Sequence, residues 1–492
     1  MTDASWVERA AVLAIMAWSL AITWRRVSAV ASTIRGSRET PDFEIAPLGP
    51  RIRRFLWEVV LQGKVIRERP LAGLAHAFVF WGFCAFALVT VNHITSAFGG
   101  RFLAPSGAFG HFYFGFVAVW AVLVAVSIAG LFVRRFLVQP KWLGKVSPES
   151  GVIAGLIFVL MVTYLSGLWF AEGSPGESAI GERVSWWLHT LALFAFLPMI
   201  PHTKHLHLAL SPVTVFLKRA GFSRIPPLTG DEDFGLDTGK DVTRIEALQA
   251  FSCVECGRCS EHCPAYNTGK ALNPKEIILG LRDYLKEDGP AAEAPLVGVH
   301  ISEEALFQCT TCGACEFQCP VGIQHLPMIV GLRRGAVNTG KWEDNFGTKL
   351  FLNLERNGNA LGFAPSDRQK FIEKAALPLY DGTQEYCLWL GCMGSYDPQG
   401  REIVLALARV LRHAGVTFGV LRKEKCTGDP ARRLGNDLAV GNVAEANIEI
   451  LRAAGVGKVV SICPHCVRTI GEDWREYGAA FQIEHHSELL AR

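Results

Sequence analysis

The chain has 492 residues and a formal net charge of only +3, so its length predicts two or three domains and its charge gives no reason to expect a nucleic-acid partner. Half of the residues are hydrophobic, and the excess lies before residue 215, which indicates a membrane segment. Thirteen of the 14 cysteines lie after residue 250, in closely spaced groups typical of metal binding rather than of disulfides, so this half should face a reducing compartment.

Five apolar runs predict an all-α, five-helix transmembrane bundle over residues 1–215, because about 20 apolar residues cross a bilayer. The runs lie near residues 6–24, 72–95, 111–133, 151–171 and 185–201. Ten Lys or Arg lie between Arg25 and Arg69, after the first run. The loop after the third run adds Arg134, Arg135, Lys141 and Lys145, whereas the opposite loops carry only Arg101 and Arg183. Since basic loops stay in the cytoplasm, the pattern predicts a multi-pass protein of the cell (inner) membrane with its N-terminus outside and residues after 207 in the cytoplasm.

Histidines at the ends of two of these runs are candidate metal ligands, because ionisable residues inside a membrane are costly and often functional. His189 and His207 are 18 residues apart, so a continuous helix would point both the same way. Runs two and five are antiparallel, which should bring His76 to His207 near the inner face and His93 to His189 near the outer face. Such a quartet would hold one or two b-type haems.

Several alternatives to this quartet remain open. The histidines could be interfacial residues at helix ends, and His205 or His202 could replace His207. His76 and His93 are 17 residues apart and about 100° out of phase on a helix, which weakens the outer pair. Cys84, inside run two, is expected to be a small buried hydrophobe rather than a ligand.

Around "FLPMIPHTKHLH", which contains His207 and follows His189, the chain resembles the cytochrome b subunit of respiratory nitrate reductase. The resemblance covers about residues 5–215 and rests on the five spans, their topology and this histidine pair. It implies haem b and electron exchange with quinone. That family spaces its second-helix histidines more closely than His76 and His93.

After a linker at 216–245, rich in Gly, Pro and acidic residues, the chain carries "CVECGRCSEHCP" and "CTTCGACEFQCP". In this Cys-x2-Cys-x2-Cys-x3-Cys-Pro formula, three thiolates bind one cluster and the fourth Cys binds the other. The formula therefore predicts two [4Fe-4S] clusters, with zinc as the alternative. The predicted ligands are Cys253, Cys256, Cys259 and Cys319 for the first cluster, and Cys309, Cys312, Cys315 and Cys263 for the second.

The spacer between the two motifs contains "NPKEIILGLRDYL", which has helical periodicity. Residues 246–335 therefore resemble the α-helical ferredoxin of succinate dehydrogenase and heterodisulfide reductase. Residues 336–384 are predicted to form a helical connector.

Residues 385–492 alternate between predicted strands and helices, which indicates an α/β domain. Four cysteines lie at predicted strand ends, where open α/β sheets bind ligands: Cys392, Cys426, Cys463 and Cys466. They predict a third iron–sulfur cluster, with structural zinc as the alternative. Cys387 could be a spare ligand or a core residue, and His465 should lie beside the cluster or be exposed.

This segment, with "KCTGDPARRLGN", "SICPHC" and "EHHSELL", resembles the cysteine-rich CCG domain of heterodisulfide reductases. The whole order resembles membrane-bound, heterodisulfide-reductase-like iron–sulfur oxidoreductases, and most of all those that link electron-transfer flavoprotein to menaquinone. The family's second CCG cysteine is Thr427 here, so the set suits an ordinary [4Fe-4S] cluster. The family usually has two CCG domains, so the other is expected on a separate subunit, or the sequence is truncated.

No P-loop, glycine dinucleotide fingerprint or Ser–His–Asp signature is found, so a flavin or nicotinamide should belong to a partner. The resemblance implies electron flow from electron-transfer flavoprotein, or another cytoplasmic donor, through the clusters and haem b to menaquinone. No single catalytic residue is predicted. The alternatives are a heterodisulfide or hydroxy-acid:quinone oxidoreductase of the same build, and a non-catalytic relay subunit of a larger respiratory complex.

Overall fold

The computed structural model describes residues 4–41, 43–100, 103–104, 107–140, 146–172, 178–230 and 233–492. Three basic residues that entered the topology prediction, Arg101, Lys141 and Lys145, lie outside these ranges.

The first part of the described chain is helical. Its helices are α1 (Trp6–Gly36), α2 (Leu48–Phe55), α3 (Gly63–Glu68), α4 (Pro70–Ala85), α5 (Ala87–Ser96), α6 (Ala108–Val133), α7 (Pro148–Glu172), α8 (Ser178–His202) and α9 (His207–Leu217). Of these, α1, α6, α7 and α8 are long and apolar enough to cross a membrane. Helices α4 and α5 together form a fifth candidate span, bent by 43°. The five predicted runs therefore coincide with four or five apolar helices, and the chain is a membrane protein.

The apolar helices pack in the order α4–α6–α7–α8–α1. Phe86, Ala121, Val124 and Tyr164 contribute to a small core between them. Outward-facing side chains such as Val126, which is 69% exposed, are large and apolar. Because lipid is as apolar as the core, these exposed faces suit a bilayer. Loop charge is the basis for the predicted orientation, which stays a prediction.

The segment predicted as a linker is packed rather than free. Within 216–245, Ile225 and Leu236 are almost fully buried, and the Leu236 amide donates to the carbonyl of Gly331 over 2.8 Å. The end of α1 also meets this region, since the amide of Arg38 donates to the carbonyl of Val242 over 3.0 Å. The segment therefore connects the membrane helices to both domains that follow, and its Gly, Pro and acidic composition did not reveal this.

The cysteine motifs lie in a helical region. Its helices are α10 (Arg244–Phe251), α11 (Arg258–Glu261), α12 (Pro264–Asn267), α13 (Pro274–Glu287), α14 (Glu303–Phe307), α15 (Ala314–Gln318) and α16 (His325–Asn338), followed by α17 (Asn345–Asn357) and α18 (Pro365–Lys374) in the connector. Helix α13 is the one predicted from the spacer. It begins at Pro274, behind an Asn273 cap, and buries Ile277, Leu281 and Tyr284 on one face.

The C-terminal region is α/β, as predicted. Its elements are β1 (Tyr386–Trp389), α19 (Gly391–Tyr396), α20 (Pro398–His413), β2 (Phe418–Gly419), α21 (Asp429–Leu434), α22 (Asp437–Ala453), β3 (Lys458–Ser461), α23 (Pro464–Gly471), β4 (Gln482–His485) and α24 (His486–Leu490). The four strands are parallel, in the order β2-β1-β3-β4. Strand β1 is central and buried along its whole length, as expected for a parallel sheet covered on both faces.

Candidate redox centres

The two ferredoxin motifs fold alike. In each motif, the residue before the second cysteine and the glycine after it have positive φ: Glu255 at 55° and Gly257 at 74°, and Thr311 at 56° and Gly313 at 75°. Positive φ is rare for a β-branched residue such as Thr311. At Gly313, a Cβ atom would lie 2.0 Å from the Ser223 hydroxyl, so a larger residue could not take its place. Both loops are thus wound tightly around their cysteines.

The structure brings together the thiols predicted for the first cluster. Cys259 lies within electrostatic range of Cys253, Cys256 and Cys319. Cys319 comes from the second motif, 66 residues after Cys253, yet it joins this group. Burial raises the pKa of Cys253 to about 12, so a bound cluster would have to stabilise the thiolate.

The thiols predicted for the second cluster converge in the same crossed way. Cys315 lies within electrostatic range of Cys309, Cys312 and Cys263, the last of which comes from the first motif. The amide of Thr311 donates to the Cys309 sulfur over 3.4 Å. The amide of Ile323 donates to the Cys319 sulfur of the first set over the same distance. Amide bonds to sulfur are one way in which a protein sets the potential of a cluster.

A third set gathers at the carboxyl ends of the parallel strands. Cys466 lies within electrostatic range of Cys392, Cys426 and Cys463. Cys392 follows β1 and Cys463 follows β3, while Cys426 lies in the loop after β2. Gly391 turns the chain at φ 65°, and a Cβ atom there would lie 3.1 Å from the Cys466 sulfur. The sheet thus supplies four thiols to one place.

Hydrogen bonds join these four thiols in pairs. Cys463 accepts from the Cys466 thiol and from amides at the start of α23, which lowers its pKa to about 6. Cys426 accepts from the Cys392 thiol, which lowers the pKa of Cys426. The Thr427 hydroxyl, at the place of a fifth thiol, lies 4.0 Å from the Cys466 sulfur. The donor set therefore offers four thiols, and hydrogen bonds lower the pKa of two of them, Cys426 and Cys463.

The remaining sulfur and imidazole candidates of this region lie outside the set. Cys387 is fully buried in β1 among core residues, where it packs as a small hydrophobe. His465 is 65% exposed and pairs with Asp429 over 2.9 Å. That pairing raises the pKa of His465. In the membrane region, Cys84 is exposed on the helix surface rather than buried as predicted, because α4 turns that side away from its neighbours.

Sequence reasoning missed a buried ion pair beside the third set. Glu424 and Arg368 are almost fully buried and pair over 3.0 Å. Glu424 also accepts from the amide of Gly391 over 2.7 Å, which fixes the turn before Cys392. The sequence signal that could have found this pair is the position of Glu424 in "KEKC", two residues before Cys426.

His76 and His207 meet at one end of the membrane helices, although not along one continuous helix as predicted. Helix α8 contains Pro198 and Pro201 and ends at His202, and His207 begins α9. The rings of His76 and His207 lie 6.4 Å apart between centroids. Two imidazoles that bind one metal ion from opposite sides, each at about 2 Å, have centroids about 6 Å apart.

The ring nitrogens of this inner pair also suit a metal. The Nδ1 atom of His207 lies 2.9 Å from the carbonyl of Lys204, which fixes the ring and leaves Nε2 free. The Nδ1 atom of His76 is buried without a hydrogen-bond partner. His205 lies beside this pair, with its ring 6.0 Å from that of His207, whereas His202 is exposed and bonded to the carbonyl of Pro198.

His93 and His189 also meet, with ring centroids 4.6 Å apart. The bend between α4 and α5 changes the phase of His93, which is why a pair that is out of phase on a straight helix converges here. His189 bonds Thr163 through Nδ1, but the Nε2 atom of His93 is occupied by Thr190 at 2.8 Å. This pair therefore suits a metal less well than the inner pair.

Contacts between neighbouring groups connect the membrane helices and the three thiol sets one after another. Lys64, next to the membrane helices, donates to the Cys319 carbonyl over 2.8 Å. Cys259 of the first set lies within electrostatic range of Cys315 of the second. Arg333 then donates both to the carbonyl of Cys309 and to that of Arg433, beside the third set. His76 lies within electrostatic range of Arg258, which stands between Cys256 and Cys259 of the first set. The order from the membrane is thus inner histidines, first set, second set, third set. Within the described ranges, no three His, Cys, Asp or Glu side chains have the geometry of a single metal-ion site.

These features define the class: an iron–sulfur oxidoreductase with a membrane domain. A family model described as a 4Fe-4S dicluster domain matches residues 249–323, and a model described as a cysteine-rich domain matches residues 386–471. No solved structure matches the chain.

The chain belongs to the family of heterodisulfide-reductase-like iron–sulfur oxidoreductases that includes EtfAB:quinone oxidoreductase. It is 30% identical to the probable iron-sulfur-binding oxidoreductase FadF of Bacillus subtilis, over 89% of this chain and 72% of that protein. It is also 30% identical to the EtfAB:quinone oxidoreductase of Syntrophomonas wolfei, over 88% of this chain and 70% of that protein. One subunit of the dihydromethanophenazine:CoB–CoM heterodisulfide reductase of Methanosarcina mazei is 29% identical, over 52% of this chain and 66% of that protein.

Proposed function

We propose that this chain passes electrons from a cytoplasmic donor, an electron-transfer flavoprotein, to menaquinone in the cell membrane. The observation that carries the proposal is the row of three four-thiol sets that ends at the paired imidazoles of His76 and His207. The name of the relative EtfAB:quinone oxidoreductase supports the choice of donor and acceptor.

Each thiol set has a place in this proposal. Cys253, Cys256, Cys259 and Cys319 would hold one [4Fe-4S] cluster, and Cys309, Cys312, Cys315 and Cys263 another. A third cluster would be held by Cys392, Cys426, Cys463 and Cys466. His76 and His207 would hold a b-type haem, and His93 and His189 a second one. When bound, these groups supply one-electron carriers between donor and quinone.

The protein's own residues would set the order of the centres along this path and shield the centres from water. The crossed arrangement of Cys263 and Cys319 ties the first two sets together. Arg333 holds the second set against the third through two carbonyls. Seven of the twelve thiols are buried, which would keep water away from most of the path.

The test uses the full-length protein, purified anaerobically in detergent. Reduced electron-transfer flavoprotein should reduce its b-type haem, and a menaquinone analogue should reoxidise it. Haem that stays oxidised in the presence of the reduced flavoprotein, but is reduced by quinol, would contradict the choice of donor. Co-purification of a separate CCG protein would favour the relay role in a larger complex.

The similarity to the heterodisulfide reductase of Methanosarcina mazei favours a second candidate, in which a disulfide substrate reacts at the third set. Disulfide added to the reduced protein would then oxidise the clusters without any quinone. Under the main proposal, only the quinone does so.

Iron analysis should find about twelve non-haem irons per chain, because three cubanes bind four each. About eight irons with about one zinc would mean that the third set holds zinc. Metal analysis of anaerobic protein, with haem measured separately, decides between these results.

The His207→Ala variant should lose the low-spin b-haem absorbance of the inner centre, because removing one axial ligand lowers affinity by at least about 10–100-fold. Reduced-minus-oxidised spectra measure this loss, and cluster absorbance should remain. His202→Ala is the matched control and should keep its haem, since His202 is exposed. An unchanged spectrum in His207→Ala would show that His205, rather than His207, is the ligand. Loss of half the haem would support two haem centres.

A further inference from the structure

Two basic side chains, Arg135 and Lys204, lie partly or fully buried beside the inner histidine pair. Arg135 belongs to the π-helical turn that extends α6 to Val138. Its Nε atom is buried without a hydrogen-bond partner. Lys204 is only 9% exposed, and its ammonium donates to the Ser147 hydroxyl over 3.1 Å.

The charges of the two side chains are not balanced by ion pairs. Among the described residues, neither Arg135 nor Lys204 lies within ion-pair distance of a carboxylate. Glu255 lies within electrostatic range of both cations but is already paired with Arg282 over 2.7 Å. Glu149 also lies within range of Lys204, and the Cys256 thiol lies within range of Arg135. Buried cations without a counter-ion are costly, so a bound anion would stabilise the protein here.

The position of these cations suggests which anion that is. His205 lies within electrostatic range of Arg135, Lys204, His207 and His76. The backbone carbonyl of Lys204 also holds the Nδ1 atom of His207. An anion bound by the two cations would therefore lie at the edge of any group held between the histidines.

We propose that Arg135 and Lys204 bind the propionate carboxylates of the b-type haem held by His76 and His207. This inference rests on the proposed function, because it requires that haem. Guanidinium and ammonium groups form strong, charge-assisted bonds to carboxylates. Reduction adds an electron to the haem, so two nearby cations also favour its reduced state and raise its potential.

The experiment compares the Arg135→Gln/Lys204→Gln double variant with wild-type protein. The haem of the double variant should keep a low-spin spectrum, because the histidines remain. The fraction of haem that stays bound during gel filtration should fall. Stabilisation of the reduced haem should fall about tenfold, which is about 59 mV in midpoint potential for a one-electron couple. The charge-keeping variant Arg135→Lys/Lys204→Arg should restore both properties. Arg25→Gln, which removes an exposed cation of α1, is the control and should change neither.

The outcomes separate the sources of the anion. A phospholipid headgroup offers the same anionic chemistry, so the titrations are run in lipid-free detergent and in vesicles of phosphatidylglycerol. A shift of the double variant in both media supports the propionates. A shift confined to the vesicles assigns the cations to lipid phosphate and overturns the inference.

Failure of this inference is distinguishable from failure of the proposed function. If haem is lost in His207→Ala but the double variant keeps its potential and retention, only the role of Arg135 and Lys204 fails. If His207→Ala keeps its haem, the proposed ligation fails as well. Iron content at the wild-type level shows that the double variant has folded.

Discussion

The Cys463→Ser variant is expected to lose flavoprotein-driven haem reduction by about 100-fold or more, the upper end of what the loss of a metal-site group costs. Cys463 lies at the carboxyl end of β3, where α23 begins. The pKa of its thiol is lowered to about 6, because it accepts hydrogen bonds from Cys466 and from the helix amides. Serine cannot replace a thiolate ligand, so the point at which electrons are proposed to enter would be lost.

Haem reduction by an added quinol should be unchanged in this variant, because quinol delivers its electrons from the membrane side. Stopped-flow absorbance with each reductant measures both routes. Cys387→Ala is the matched control: it removes a thiol from the core of the same sheet, and it should leave both routes intact. Normal reduction by the flavoprotein in Cys463→Ser would show that the third set is not the docking site, even if the other centres stand.

Much of the chain could be predicted from sequence where the determinant is local. The spacing of the cysteines fixes how three thiols of one loop point, and the periodicity of "NPKEIILGLRDYL" fixes the buried face of α13. The alternation of short apolar runs with amphipathic helices was sufficient to predict an α/β domain. That its strands are parallel, and that β2 is only Phe418–Gly419, came from the structure.

The histidine geometry could be predicted only in outline, because it depends on breaks in the helices. A straight helix places His93 out of phase with His76, but the chain bends by 43° between α4 and α5. Helix α8 ends at His202, after two prolines, so His207 reaches its partner from a new helix. Such breaks are stabilised by neighbouring helices, which a single sequence does not show.

Tertiary partners also explain what composition could not predict. Residues 218–238 contain the Gly, Pro and acidic residues of a flexible linker, yet Ile225 and Leu236 are buried between two domains. Arg135 was counted as a topology signal in a basic loop. Its burial beside the histidines depends on contacts between distant parts of the chain.

The second large effect is expected from Arg432→Met, which should destabilise the C-terminal region by about 3–5 kcal/mol, the usual cost of removing one partner of a buried ion pair. Arg432 is fully buried and binds both carboxylate oxygens of Glu476, over 2.6 and 2.7 Å. The carboxylate of Asp473 is also buried, 3.9 Å from the guanidinium, and one of its oxygens has no hydrogen-bond partner. Methionine fills the space but removes the guanidinium that binds Glu476, and it leaves Asp473 with Arg433, 4.0 Å away.

Arg432 also donates to the carbonyl of Ile225 over 3.3 Å, so its loss should loosen the segment that leads back to the membrane helices. Hydrogen exchange of the full-length protein in detergent measures the effect, as faster exchange of the amides in α21, α22 and α23. Arg452→Met is the matched control: its guanidinium is at the surface of α22, bonded to the carbonyl of Gly478, and a surface change of this kind should stay within about 0.5 kcal/mol. Adding Glu476→Gln to Arg432→Met should recover part of the loss by removing the carboxylate that Arg432 had paired. Wild-type exchange rates in Arg432→Met would mean that this ion network does not stabilise the contact between the cysteine-rich domain and the rest of the chain.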